Sequence, residues 1–355
     1  MSENERELVS LRGERDTQDQ ELFALIERRI SLAKRLREVF AGDAIRTERE
    51  LRDGAFSPRE GALPIEQWQH LRRDINAVCA LLGAPLKLVF VGVEGSPAHL
   101  AAKKRFGTAL ELIGARTARD ALELVERKQT EMAVVPFETT SEGILQSTLV
   151  ELVRREVKIV ELIELPLELH LFGKSQSVAM VKTVYATRAD RDLCLRQLQE
   201  KVPVPIVEIA TAREGFELAV AIDDAAVVGP DWLAESFGLD PLVRGVQDEA
   251  PERVRCAVVG IRPSSRTGSD VTSFVFAVHD TPGALLDILR AFAERDLSLT
   301  TIQSRPMDGE NWSYLFFCEI LGHPTDRALI AAFEDVKRTS KFFKVLGSFR
   351  LSATK

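Results

Sequence analysis

Leu88-Val-Phe-Val-Gly92, followed further on by Met132-Ala-Val-Val-Pro136, decides how the middle of this 355-residue chain folds. Both runs are of strand type. Between them the pattern changes to helix over 98–105, to strand over Leu110-Glu-Leu-Ile113 and to helix over 120–127. Strands that alternate with helices pack as an α/β sheet joined by right-handed crossovers. A helix over 143–155 and a strand over 158–165 complete one lobe. Between Pro166 and Ser177 the chain crosses into a second lobe: strand 181–186, helix 190–200, strand 206–209, helix 212–221 and strand 225–228. Residues 86–262 are therefore expected to form two α/β lobes, and the cleft between such lobes is the usual place for a small ligand.

Downstream, 271–350 is expected to form a separate α+β unit. Strand 271–279, turn Asp280-Thr-Pro-Gly283, helix 284–295, strands 298–305 and 312–321, helix 326–339 and strand 344–348 give the ferredoxin-like order β-α-β-β-α-β. Gly283 at the helix start lets backbone N–H groups approach a ligand carboxylate, which the helix dipole favours. Taken alone, Pro-Gly before a helix is equally an ordinary turn and cap.

Upstream, 5–83 is expected to be all-helical. Every third and fourth residue from Arg12 gives Arg12, Arg15, Asp19, Leu22, Ile26, Arg29, Ala33, Leu36 and Phe40, a heptad-like seam without proline. An arginine on a buried face is costly unless it meets a carboxylate, such as Asp19 or Glu50, or an anionic ligand. The stretch from Arg52 to Leu63, with Gly54, Ser57, Pro58 and Gly61, is expected to be a loop.

Composition narrows the function classes. A net charge of −7 argues against a nucleic-acid partner, which calls for a clustered basic excess. No stretch approaches the roughly 18 consecutive apolar residues of a membrane helix, and Met1-Ser-Glu-Asn-Glu-Arg-Glu7 has no apolar leader core, so no membrane partner and a cytoplasmic location are expected. Cys79, Cys194, Cys256 and Cys318 are far apart without a C-x-x-C pair, so buried reduced thiols are expected rather than a zinc site or disulfides. Neither a metal nor a cofactor is expected.

Thr281-Pro-Gly-Ala-Leu-Leu286, Ile302-Gln-Ser-Arg-Pro306 and Trp312-Ser-Tyr-Leu-Phe-Phe317 resemble the ACT regulatory module of prephenate dehydratases. The resemblance implies an L-phenylalanine pocket between two subunits, drawing on Gly283, Ala284, Leu285, Gln303, Ser304 and Arg305, with Gln303 standing where glutamate is commoner. Gly92-Val-Glu-Gly-Ser96 with His99 and Ala101-Ala102, Val135-Pro-Phe-Glu138 with Gly143, Leu165-Pro-Leu167 and Ala210-Thr-Ala212 resemble the ordered motifs of the prephenate dehydratase domain, a two-lobed fold of the periplasmic-binding-protein kind. Glu138, Thr211, Arg255 and position 254 are the site residues so implied. Ser10-Leu-Arg12, Asp16-x-x-Asp19, Leu25-Ile-Glu-Arg-Arg-Ile30, Arg49-Glu50 and Arg73-Asp-Ile-Asn-Ala-Val-Cys79 resemble the helical chorismate mutase domain often fused in front. Here Arg12, Arg29, Arg49 and Glu50 would hold chorismate, one arginine coming from the second subunit of an interlocked dimer. The implied ligands are small aromatic acids, namely chorismate, prephenate and L-phenylalanine, and the implied assembly is a homodimer or a higher homo-oligomer.

The positions that would do the chemistry depart from the family pattern. Mutase catalysis sets donors around a breaking ether oxygen. Counted from Arg29 and Cys79, the two donor positions fall on Phe40 and Gly83. The family's catalytic threonine is Val254, which keeps the branched shape but has no hydroxyl. Thr139 stands for asparagine, Ala186-Thr-Arg-Ala189 for Ser-His-Pro-Gln, Ala210 for serine, and Leu169 for a histidine that reappears one place out of register as His170. A one-residue slip in a strand reverses the face, so His170 is expected to be satisfied in the core or on the surface. Two functions are therefore compatible with the sequence. One is a catalytically impaired, phenylalanine-sensing member of phenylalanine biosynthesis that regulates a partner enzyme; the other is an active, feedback-inhibited bifunctional enzyme with substitute residues.

Overall fold

The computed structural model describes residues 3–40, 50–51, 64–81, 87–107, 110–279, 281–306 and 314–351. Arg49, Gly83, Trp312 and the 52–63 loop lie outside the described residues. Helix Glu3–Val39 packs against helix Ile65–Leu81 through Ala33, Leu51 and Cys79, with Ile30, Leu36 and Ile75 around them. The expected seam is buried only in its second half, and Arg12, Arg15, Asp19 and Leu22 are exposed. Length explains the correction. The second helix has 17 residues against 37, so it covers less than half of the first. Leu11, Leu22, Leu25, Leu32 and Val39 also remain exposed along the long helix.

Lobe 1 contains β1 (Lys87–Val91), β2 (Glu111–Ala115), β3 (Met132–Thr139), the short β4 (Gly143–Ile144), β5 (Lys158–Leu167) and the returning β11 (Glu252–Gly260). Lobe 2 contains β6 (His170–Gly173), β7 (Thr183–Thr187), β8 (Ile206–Ile209), β9 (Ala225–Gly229) and β10 (Pro241–Val243), in the order β10-β6-β9-β7-β8. The third unit supplies β12 (Asp270–Ala277), β13 (Leu299–Pro306), β14 (Tyr314–Leu321) and β15 (Phe342–Arg350). Its β-α-β-β-α-β order is the expected one. The helix expected over 143–155 gives its first two residues to β4 and runs from Gln146 to Arg154.

The third unit is not a separate sheet. β15 lies beside β5 with Gly347 paired in parallel with Ile159, so one sheet runs β13-β14-β12-β15-β5-β11-β3-β1-β2 with β4 on β3. One face of the third unit's strands holds Phe274, Phe276, Cys318 and Ile320 against helices Ala284–Ala293 and Arg327–Thr339. Its opposite face enters the core of lobe 1, where Phe317 meets Phe137 edge-on at 5.5 Å. The lobe crossing is pinned by Gln247, whose Nε2 donates to the Leu167 carbonyl at 3.0 Å while its Oε1 accepts from the Leu169 N–H at 2.9 Å.

Candidate functional site

In open α/β sheets, ligands bind beyond the carboxyl ends of the strands. At that end of lobe 1, Ser96 caps helix Pro97–Phe106: its Oγ accepts from the His99 N–H at 3.4 Å and donates to the Val91 carbonyl at 3.0 Å. In lobe 2, β7, β8 and β9 run parallel, so the helices that follow them start at one end of the sheet. Thr187 caps helix Arg188–Lys201, Thr211 caps helix Ala212–Ala221, and Trp232 lies in the helix after β9. The lobes touch there: a methyl group on Gly95 would fall 1.9 Å from the Trp232 ring, so the indole lies directly on the glycine. The hydroxyls of Ser96, Thr187 and Thr211 thus face the cleft end as helix caps, while Ala186 is buried and Ala210 has no side-chain donor.

His99 is 5% exposed, and its Nδ1 accepts from the Gly95 N–H at 2.9 Å, which places the proton of the neutral ring on Nε2. Burial pushes this imidazole below its ordinary value of 6.5, and the charge of Lys103 acts in the same direction. His170 is 2% exposed; its Nδ1 accepts from the Gly245 N–H at 2.9 Å and its Nε2 stands 3.2 Å from Asp231. It is a satisfied core histidine, as the register argument anticipates.

Val254 pairs with Thr139 on β3 and Leu165 on β5 and is 3% exposed, packed among Phe90, Ala98, Leu165 and Cys256. Arg255 projects to the other face of β11. A register shift between Arg255 and Cys256 sets Glu138 opposite Arg255 and turns it, with Phe137, toward the third unit. The Arg255 Nη1 donates to Glu138 at 2.5 Å and its Nη2 to Glu319 on β14 at 3.0 Å. Of the expected dehydratase residues, the structure therefore joins Glu138 and Arg255, turns Val254 away from them, and leaves Thr211 on the other lobe.

The expected phenylalanine residues also divide. Gly283 is the left-handed N-cap of helix Ala284–Ala293, at φ +86 with open space where a side chain would be. Leu285 is half-buried against the Phe274 cluster. Ser304 is opposite Phe316, on the helix side of the sheet, whereas Gln303 and Arg305 are opposite Phe317 and Leu315, on the side that meets lobe 1. The sequence motif reads as one pocket; strand alternation splits it across two faces.

Between lobe 1 and β13 lies a cavity of about 320 Å³, lined in part by Glu138, Thr139, Arg253, Arg255 and Gln303. Glu319 borders a neighbouring hollow and was missed by sequence reading. Its signal was there, a lone carboxylate inside Tyr314-Leu-Phe-Phe-Cys-Glu-Ile-Leu321. It is 4% exposed and also accepts from Ser273 at 3.3 Å and Thr301 at 3.4 Å.

In the helical unit, Arg29 Nη2 donates to Asn76 Oδ1 at 2.6 Å and to the Leu51 carbonyl at 3.2 Å, both neutral partners. Its Nε and the Nη1 of Arg37 are buried without a partner among the described residues, a local positive charge suited to an anionic ligand. Arg12 and Glu50 are exposed, and Phe40 is half-buried. Burial pushes Cys194, Cys256 and Cys318 up to about 12, so these thiols are inert near neutrality. No group of His, Cys, Asp and Glu among the described residues is placed to hold a metal ion, and none of the described helices is long and apolar enough to cross a membrane.

Comparison with known proteins adds to this geometry. The prephenate dehydratase family profile matches residues 88–264, and the ACT domain profile matches residues 272–338. A bifunctional chorismate mutase/prephenate dehydratase of Aquifex aeolicus is 32% identical over 353 residues, covering 97% of this chain and 98% of its own length. Among solved structures, the prephenate dehydratase of Arthrobacter aurescens in complex with L-Phe is 25% identical, with a TM-score of 0.63, 76% of this chain and 91% of that one being covered. The prephenate dehydratase of Staphylococcus aureus has the same fold at 19% identity, with a TM-score of 0.65 and coverage of 74% and 100%.

Proposed function

The chain belongs to the family of bifunctional chorismate mutase/prephenate dehydratases with an ACT domain, and we propose that it is a phenylalanine-sensing member whose two reaction centres turn over weakly. Val254 carries this reading. Prephenate loses a tertiary hydroxyl and carbon dioxide together, which calls for a positioned proton donor. Position 254 offers only methyl groups, packed in an apolar cluster with Leu165 and Cys256. Of the capping hydroxyls at the cleft end, Ser96 donates to the Val91 carbonyl and Thr187 to Asp190, while Thr211 accepts from the Glu214 N–H.

On this proposal 5–83, 86–262 and 271–350 are the mutase-like, dehydratase-like and ACT units of a cytoplasmic protein. In the first, Phe40 and Gly83 leave the ether oxygen of chorismate without side-chain donors, although Arg29, together with Arg12 and Arg49, still suits a dicarboxylate. The exposed row Leu11, Leu22, Leu25, Leu32 and Val39 supports a homodimer built along the long helix. L-phenylalanine binds at the Gly283 end of helix Ala284–Ala293, with Ala284, Leu285 and Ser304 on the same side of the sheet. A silent member of this kind acts by regulating a partner enzyme.

Purified protein supplied with prephenate should form phenylpyruvate at least about a hundredfold more slowly than an active family member, the lower range of what acid catalysis contributes. Turnover equal to that of the Aquifex relative overturns the proposal. It would favour the second reading, an active feedback-inhibited enzyme, for which the intact Arg255–Glu138 pair is the supporting observation.

A further inference from the structure

Gln303 has both ends of its amide satisfied by lobe 1. Its Oε1 accepts from the Ile144 N–H at 3.2 Å, and its Nε2 donates to Glu138 Oε1 at 3.1 Å. Only an amide does both, because a carboxylate at this position loses the donor and faces Glu138 with like charge. Two residues along the same face of β13, Arg305 Nη2 donates to the carbonyls of Glu142 at 2.8 Å and Ile144 at 3.0 Å. The hairpin they grip is shaped for the approach. Gly143 has φ +69, and a Cβ there would lie 2.8 Å from the Gln303 oxygen and 3.0 Å from the Arg305 nitrogen.

We infer that Gln303 and Arg305 form a latch holding the third unit's sheet on lobe 1, and that this latch, rather than ligand contact by those two side chains, carries the phenylalanine signal to the cleft. The inference rests on the reading that the third unit binds L-phenylalanine. The path is continuous. Glu138 takes Gln303 on one oxygen and Arg255 on the other, and Arg255 continues to Glu319, so a chain of hydrogen bonds leaves the third unit, crosses β3 and β11 and returns. Its two lobe residues are the immediate neighbours of Thr139 and Val254, which pair with each other across β3 and β11. Ser304, between the two latch residues, lies on the opposite face, the one that carries the helix beginning after Gly283. A ligand that shifts β13 there displaces the latch on the opposite face.

Hydrogen exchange on the full-length protein tests this, using Gln303→Leu and Gly143→Ala. Gln303→Leu removes the acceptor of the Ile144 N–H together with the donor to Glu138, and should raise exchange of the Ile144 amide about tenfold or more, the scale of a lost hydrogen bond. In the wild type, saturating L-phenylalanine should alter exchange over 138–145 and 252–256. In Gly143→Ala the ligand should still raise the melting temperature but no longer alter exchange in those segments. An Ile144 amide as protected in Gln303→Leu as in the wild type overturns the latch, and this result does not depend on Gly143→Ala folding. A ligand that raises the wild-type melting temperature without altering exchange over 138–145 overturns the coupling and leaves phenylalanine sensing intact. A wild type whose melting temperature and exchange are both unmoved by L-phenylalanine sinks the sensing reading, and the coupling with it.

Discussion

The two faces of β11 have opposite characters one residue apart. Val254 and Cys256 look into a cluster of Phe90, Ala98, Leu165 and Val258, with His99 against Phe90 at its edge. Arg253 and Arg255 look toward the third unit and end on Glu164, Glu138 and Glu319. In a strand, residues i and i+2 share a face and i+1 does not, so the two sides can change independently. The contrast teaches that the apolar framework under the cleft tolerates loss of a donor, whereas Arg255 at the seam joins lobe 1 to the third unit through Glu319.

The largest expected effect comes from Arg255→Ala. Among the described residues, it leaves Glu319 buried with only the Ser273 and Thr301 hydroxyls, at 3.3 and 3.4 Å, to hold its charge. Breaking a buried pair from one side costs about 3–5 kcal/mol, because the remaining charge is uncompensated. Urea denaturation should show that loss, and Arg255→Ala combined with Glu319→Gln should recover part of it. A loss below about 1 kcal/mol would place the seam with ordinary surface pairs and break the comparison.

Val254→Thr probes the other face. A hydroxyl placed among apolar side chains without a partner costs about 1–3 kcal/mol. Phenylpyruvate formation should stay within about tenfold of the wild type, because one donor does not replace those absent at Ala186 and Ala210 when acid catalysis alone is worth about a hundredfold or more. Rescue to family-level turnover at no cost in stability would mean that Val254 already faces a preorganised site, and the contrast between the faces would be one of a single side chain.

The lobes and the third unit were legible because strand and helix periods are local, and Leu88-Val-Phe-Val-Gly92 or the β-α-β-β-α-β order needs no distant information. The joining of β15 to β5 was not. Gly347 and Ile159 meet across 188 residues of chain, and neither sequence carries a local mark of the other. The division of Gln303, Ser304 and Arg305 between two faces follows from a strand period of two, yet the motif invites reading all three as one pocket. The face that lobe 1 would cover was fixed by Phe317 packing on Phe137, a tertiary contact. The described residues of one chain cover only the second half of the seam on helix Glu3–Val39, since periodicity shows a face but not the length of its partner.

On the cleft side, pH offers a finer probe. His99 titrates below 6.5 in the folded protein, first because it is buried and then because Lys103 lies near. The unfolded chain therefore takes up its proton first as pH falls, and the folded state loses stability from pH 6.5 downward until His99 itself protonates. One site bounds the slope at about 1.4 kcal/mol per pH unit. Urea midpoints of the wild type should fall faster with acid than those of His99→Gln. Parallel curves would show that the cleft side, like the seam, accommodates charge, and would weaken the contrast.

The smallest effect sharpens the comparison within a single face. Arg253 is the neighbour of Arg255 two residues along β11, and it pairs with Glu164 at 2.5 Å, but the two side chains are 56% and 41% exposed. Water screens this pair and replaces the lost partner when one member is removed. Arg253→Ala should therefore cost no more than about 1 kcal/mol, against several for Arg255→Ala, and added salt should erase most of the difference from wild type. The two arginines share a strand, a face and a 2.5 Å contact to a carboxylate, and they differ in burial and in the second carboxylate, Glu319, that Arg255 reaches. If the Arg253→Ala loss approached that of Arg255→Ala, the strength of the seam would come from the pattern of charge along β11. Its concentration at Arg255, where the third unit covers the strand, would then not be the cause.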